Sequence, residues 1–383
     1  MNRSEQNTTA IDADEDLEGL DVSTASGWGK YPLDSVFVRK EQRTVSEVVR
    51  RIKSNRFVLN PDFQRDFIWP GDKQSRLIES CLMRLPLPVF YVAEGKDGRI
   101  IVVDGLQRLS TFTRYLDDDF ALTKLGDARN NKEQKNPLVG KRFSELPINL
   151  QERIEDTQLT LYILDAKAPE QAKLDIFERV NGGVPLTRQQ MRNCLFNGGA
   201  TAWLKKAAKN GYFLTATGGS LNEKTMRDRE AINRFCAFKL LGVDKYNADM
   251  DDFLARTLEY MNQLSEADLA KLMESFVLSM KSNHFLFEKH AFRKSLASQN
   301  ISVARTVINI ALFDVCSVMF SDISEEIVRL NANQLRRTIR ELLADSDFTQ
   351  AITYGTNGLS QVRTRFKMIE AALSEILVHA NAN

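Results

Sequence analysis

Residues 100–112 read "IIVVDGLQRLSTF": four aliphatic residues run into Asp104 and Gly105, then into Leu106, Gln107 and Arg108, and the chain turns hydrophobic again. An aliphatic run ended by a glycine is the pattern of a buried strand, and the spacing after it predicts a helix. A strand that feeds through a glycine turn into a helix leaves backbone N–H groups pointing outward at the helix start, where anions bind. In that setting Arg108 is a bidentate donor, Gln107 can orient a ligand or a water, and Asp104 can hold a metal ion or take a proton. The plainer alternative is a turn with a capping acid and a solvated arginine.

Upstream, "VFYVAEGKDGRIIVVDG" gives two β-rich runs joined by Gly-Lys-Asp-Gly, the grammar of a hairpin. "TVSEVVRRI" from Thr44 opens with a capping box, Thr44 with Glu47, ahead of an apolar face. "LNPDFQRDFIWPGDKQSRLIESCLMRLPLP" places Gln64 and Arg65 among Phe63, Phe67 and Trp69 in a proline-bounded loop. A helix follows, with Asp72 as its cap and a stripe of Leu77, Ile78, Cys81, Leu82 and Leu85. An arginine among rings can simply stack on them. Two Gln-Arg pairs brought to one cleft would instead make an anion pocket with two guanidinium groups. A further strand is read at 159–165, and the Lys/Asn/Gln-rich stretch 126–142 reads as a surface loop.

Beyond Asp165 the pattern becomes helical throughout, beginning at Pro169, so a domain boundary or a change of layer is placed near 166. "FERVNGGVPLTRQQMRN" contains a helix-ending Asn181-Gly182-Gly183 and a second capping box, Thr187 with Gln190. Helices are expected at about 188–196, 200–209, 224–241, 250–263, 266–282, 300–320, 324–343 and 360–378. In "MRDREAINRF", Arg227, Glu230 and Arg234 fall on neighbouring turns with Asp228 and Arg229 beside them, which reads as salt-bridged helix surface.

With 383 residues, 43% of them hydrophobic, the chain has enough apolar content for two or three cores. The first thirty residues carry seven acids against Arg3 and Lys30, a net of −5. With +1 overall the remainder is +6, which permits contact with a phosphate backbone without demanding it. This polar, Ser/Thr-rich arm is expected to be flexible. Four separated cysteines in apolar runs fit reduced thiols, and no charged-then-apolar leader opens the chain, so a cytoplasmic location is expected. The three histidines, His284, His290 and His379, have neither a zinc spacing nor a hydrolase partner pattern, which argues against a histidine-dependent nuclease. There is no Gly-x-x-x-x-Gly-Lys-Ser/Thr loop, so a Walker-type nucleotidase is excluded.

Taken in order, the blocks around Gln64-Arg65, Asp104 to Arg108, Asn181 to Leu186 and Arg227 to Phe235 resemble the family typified by the N-terminal domain of GmrSD-type modification-dependent restriction enzymes, over about residues 35–240. The resemblance implies an α+β fold: a ParB/sulfiredoxin-like α/β nucleotide-binding core at 31–165 followed by an all-helical region at 166–383. It also implies binding and hydrolysis of a nucleoside triphosphate at the family's Asp-Gly-Gln-Gln-Arg signature. That signature falls on Asp104, Gly105, Gln107 and Arg108, with Leu106 at its first Gln. On this reading Asp104, Gln107 and Arg108 are catalytic, and Gln64, Arg65, Gly105, Arg108, Asn181 and Gly182 hold the nucleotide. Asp104 also serves Mg²⁺. Longer relatives carry a His-Asn-His nuclease that cuts DNA. Residues 241–383 show no such cluster, so the chain is similar to a stand-alone form acting in phage defence with a separate nuclease or effector, and assembly as an oligomer stays open. The rivals are a non-enzymatic DNA sensor, with "QLRRTIREL" at 334–342 as one candidate contact, and a DNA-nicking core.

Overall fold

The computed structural model describes residues 17–18, 38–59, 69–95, 97–123, 125, 136–168, 176, 187–298 and 303–380. The chain forms two compact units, one of residues 25–195 and one of residues 1–24 with 196–383.

In the first unit, five described strands form one mixed sheet: β1 (Val38–Thr44), β2 (Phe57–Val58), β3 (Phe90–Glu94), β4 (Ile100–Asp104) and β5 (Gln158–Leu164), in the order β1-β5-β3-β4-β2. β3 and β4 are the expected antiparallel hairpin, with an irregularity between Tyr91 and Val92, while β3 runs parallel to β5. The fold class is α+β, as expected.

One face of the sheet is covered by α1 (Val45–Lys53), α2 (Gly71–Leu82), α3 (Leu106–Leu116) and α4 (Ile148–Glu155). Val48, Ile78, Phe90, Val92, Val102, Phe112 and Leu161 interdigitate there in one buried cluster. The other face carries a smaller cluster, in which Met191 of α5 (Arg188–Leu195) meets Ala93, Val103 and Leu164. Thr44 caps α1 by accepting from the Glu47 N–H at 3.2 Å. The Thr187 and Gln190 box is reciprocal, with Thr187 N–H donating to Gln190 Oε1 at 2.7 Å and Gln190 N–H donating to Thr187 Oγ1 at 3.2 Å. The cap assigned to Asp72 is corrected: Pro70 occupies that position and makes no side-chain cap bond. Asp72 stands instead in the first turn, where its negative charge faces the positive end of the helix dipole.

The second unit is helical: α6 (Gly199–Ala208), α7 (Gly211–Thr217), α8 (Arg227–Leu240), α9 (Met250–Met261), α10 (Glu266–Phe287), α11 (Ile310–Met319), α12 (Glu325–Leu330), α13 (Ala332–Ala344), α14 (Ser346–Ala351) and α15 (Leu359–Ala380). The helix expected over 300–320 starts only at Ile310, because Asn309 caps it, accepting from the Leu312 N–H at 2.8 Å. Ile308 pairs instead with Arg293 in an isolated bridge. The single helix expected over 324–343 is two, divided at Asn331, whose side chain donates back to the Ile327 carbonyl at 2.9 Å. Of the acidic arm, Leu17 packs on the helical core, and Glu18 pairs with Asn309 in a bridge and with Lys294 in an ion pair.

The reading of α8 as salt-bridged surface is also corrected. Arg227 does pair with Glu230 at 3.2 Å, but α8 is packed against α6, α9 and α11, and Asp228, Arg229 and Arg234 are buried. Arg234 is 0% exposed and is satisfied by a two-pronged contact to Asp314 of α11, Nε–Oδ1 at 2.8 Å and Nη2–Oδ2 at 2.6 Å. Arg365 of α15 adds a bond to the same Oδ2 at 2.8 Å. Two guanidinium groups therefore share one buried carboxylate. Burial draws Arg365 down to about 10 despite Asp314.

Cys81, Cys236 and Cys316 are free and buried. Burial pushes Cys81 up to about 11 and Cys316 up to about 12. No helix among the described residues is long and apolar enough to cross a membrane.

Candidate functional site

β4 ends at Asp104, Gly105 turns the chain and α3 begins at Leu106, as the opening motif implied. Gly105 has φ +95°, a left-handed conformation that suits glycine, and a Cβ there would lie 2.2 Å from Phe90 Cδ1. Both the dihedral and the ring of the neighbouring strand therefore require the missing side chain. The turn has no side-chain cap, so the first N–H groups of α3 receive none from the residue before them.

Arg108 lies one turn into α3 and points inward. Its Nη1 donates to the Pro88 carbonyl, and its Nη2 to the Val89 carbonyl at 3.1 Å and to Asp104 Oδ2 at 2.9 Å. The guanidinium carbon sits 4.2 Å from the centre of the Phe90 ring. Only 8% of Arg108 is exposed, and burial draws its pKa down, with the Asp104 charge opposing. This is a brace between the helix start, the end of β4 and the turn before β3. Asp104 is different: its side chain is 36% exposed, so a carboxylate held on one oxygen by Arg108 presents its other side to solvent.

Gln107 accepts through Oε1 from the Trp69 N–H at 3.1 Å. The Trp69 carbonyl in turn accepts from Gln74 Nε2 at 2.6 Å, and Arg114 donates to Gln74 Oε1 at 3.3 Å. The end of the aromatic Gln64-Arg65 block is thus fastened to the start of α3. Gln64, Arg65, Asn181 and Gly182 lie outside the described residues, so the structure brings together Asp104, Gly105, Gln107 and Arg108 of the expected set. No group of three or more potential metal ligands exists among the described residues.

The sequence reading missed Phe90, Pro88 and Val89 as partners of Arg108. One signal bore on them, the Leu-Pro-Leu-Pro run at 85–88, whose prolines break regular backbone just before β3.

No curated protein matches the chain. The family model described as GmrSD restriction endonuclease, N-terminal domain, matches residues 45–197, a span that runs from α1 through the β4–α3 turn to just past α5. That span contains the braced turn, the Gln64-Arg65 block and the Asn-Gly-Gly block in the expected order, while the fourth expected block, Arg227 to Phe235, lies beyond it, and residues 45–197 belong to the family of GmrSD restriction endonuclease N-terminal domains.

Proposed function

We propose that the protein is the nucleoside-triphosphate-binding and hydrolysing component of a DNA-restriction or anti-phage system, and that it regulates a partner nuclease or effector. The observation that carries this reading is the β4–Gly105–α3 turn, with uncapped N–H groups and a half-exposed carboxylate beside them. A carboxylate next to a phosphate site repels the ligand unless a cation lies between them. Asp104 therefore calls for Mg²⁺, an ion commonly held by one or two carboxylates plus the substrate's phosphates. Mg²⁺ would neutralise charge on the phosphates when bound.

In this reading Arg108 keeps Asp104 aimed, since its guanidinium already serves two carbonyls and that carboxylate. Arg65 becomes the cation for the phosphates, with Gln64, Asn181 and Gly182 closing the site. Arg65 stands four positions before Trp69, which is bonded to Gln107, so the Arg65 backbone can lie at most roughly 14 Å from that anchor. Phosphoryl transfer asks mainly for such positioning and charge stabilisation, and for a water that Gln107 can orient.

The test is Mg²⁺-dependent phosphate release by purified protein, compared across Asp104→Asn, Arg65→Ala and Arg108→Ala. Loss of turnover in Asp104→Asn and Arg65→Ala, with the fold retained, supports the reading. Equal rates in all forms remove the enzymatic claim. For the rival DNA sensor, two of the three arginines of "QLRRTIREL" are tied to carbonyls, Arg336 to Leu286 at 2.8 Å and Arg340 to Leu296 at 3.4 Å, and Arg337 pairs with Glu341 at 2.8 Å.

A further inference from the structure

Residues 308–310 form a backbone slot on the helical unit, and two residues of the chain's own arm fill it. The Glu18 N–H donates to the Ile308 carbonyl at 3.1 Å, and the Ile310 N–H donates to the Glu18 carbonyl at 3.0 Å. Lys294 Nζ donates to the Glu18 carboxylate, and Leu17 packs against the helical core. The slot therefore reads an extended backbone, an apolar side chain and a carboxylate on the residue after it, which is recognition by strand addition.

The slot is held in shape without the arm. The Asn309 N–H donates to the Phe292 carbonyl at 2.9 Å, its Oδ1 accepts from the Leu312 N–H at 2.8 Å, and its Nδ2 donates to the Ile352 carbonyl at 2.8 Å. Lys294 also donates to Thr353 Oγ1 at 2.7 Å. A surface set in advance lowers the ordering cost of binding. Ile308 and Ile310 are buried, so an empty slot would leave a carbonyl and an N–H without their partners. The slot calls for an occupant, and its present one is held lightly. The described contacts are one bridge, one partly buried leucine and an ion pair whose side chains are 27% and 29% exposed, a kind of pair that adds little. The arm also leaves Tyr354, next to Thr353, 71% exposed. A segment that covers that ring as well gains a contact that Leu17–Glu18 lacks.

We propose that this slot is a docking site for an extended segment of a partner protein, in which a leucine-sized residue is followed directly by an acid and flanked by an apolar or aromatic residue that covers Tyr354. Leu17–Glu18 occupies the site in cis until such a segment displaces it. The arm of a second copy would repeat the contacts of the cis arm and gain nothing over it, which favours a different partner. Slot and arm lie outside residues 45–197 and do not depend on the reading of the β4–α3 turn.

Fluorescence titration of a labelled synthetic peptide of residues 11–24 against the full chain tests this. A Leu17→Ser/Glu18→Ser chain, its own arm disabled, should bind the peptide at least about tenfold more tightly than the parent, and adding Lys294→Met should lose about tenfold of that affinity. A peptide carrying Asp16→Phe or Gly19→Phe should bind more tightly than the plain one, with the gain absent in a Tyr354→Ala chain. Hydrogen exchange needs no variant: with the tighter peptide in excess over the parent, the Glu18 N–H should lose protection while the Ile310 N–H keeps it. Equal binding to the parent and the arm variant, no gain from either phenylalanine, or unchanged exchange at Glu18 would each overturn the proposal. A dimer of the parent that the arm variant fails to form would make a second copy the occupant and overturn it too.

Discussion

The backbone N–H of Trp69 donates to the side chain of Gln107 at 3.1 Å, so the last residue of the Gln64-Arg65 block is tied to the second residue of α3. Gln107→Ala removes the acceptor and leaves a backbone donor without it. A stability loss of about 1–2 kcal/mol is expected. On the proposed function, nucleotide affinity should fall by more than the same variant's stability explains, because the Gln64-Arg65 block loses an anchor at Trp69. Thermal melting beside nucleotide titration checks both, and an unchanged affinity would separate Gln107 from the site.

Gly105→Ala should cost about 2–4 kcal/mol, from a positive φ forced on a residue with a Cβ and from collision with the Phe90 ring. Phe90→Leu in the same chain should recover part of that loss, since the Cβ would meet Phe90 Cδ1 at 2.2 Å. A double-mutant cycle by denaturant unfolding measures the coupling. Strict additivity would show that the dihedral alone requires glycine.

In the helical unit, Asp314 is the single carboxylate shared by Arg234 and Arg365. Asp314→Ala leaves two buried guanidinium groups without it, and a loss of about 3–5 kcal/mol is expected. Arg365→Met should cost far less, because it leaves Arg234 and Asp314 as a balanced pair. Urea unfolding of the two variants ranks them; equal costs would mean that the second arginine is as necessary as the acid.

Asp228 provides a pH test. Burial pushes its carboxyl up from 3.8 to about 6, with Glu223 adding to the rise and the Arg229 N–H and charge opposing it. The folded state therefore holds its proton more tightly than the unfolded chain. The associated stability is fully present below about pH 4 and is lost as pH rises through about 6, and the difference is roughly 3 kcal/mol. Asp228→Asn should be more stable than the parent at pH 8 and not at pH 4. Melting curves at the two pH values decide the matter; parallel behaviour would show that this carboxyl is not desolvated.

Local sequence signals located the hairpin, β5, α1 with its Thr44 cap and the strand–glycine–helix turn, because each is encoded within a few residues. The edge strand β1 and the short helices α4, α7 and α14 were missed. β1 is "VRKEQRT", almost without apolar residues, and is a strand because it pairs with β5 along its whole length. α8 was misread because charge on a helix usually means solvent, whereas Arg234 has a partner eighty residues away that no local pattern reveals. In the candidate site, the identity of Asp104, Gly105, Gln107 and Arg108 was legible. The direction of Arg108 was not, since it depends on carbonyls of Pro88 and Val89 that only the folded sheet brings near.

Among the described residues, the buried thiols of Cys81, Cys236 and Cys316 give the molecule internal reporters of breathing. Cys81 belongs to the sheet unit, Cys236 and Cys316 to the helical one. Each is shielded from reagents, and burial disfavours the thiolate that an alkylating reagent attacks. In a Cys194→Ser background, iodoacetamide modification followed residue by residue would therefore time the transient opening of each half of the chain separately. Any ligand that steadies one half would announce its address by slowing modification there alone.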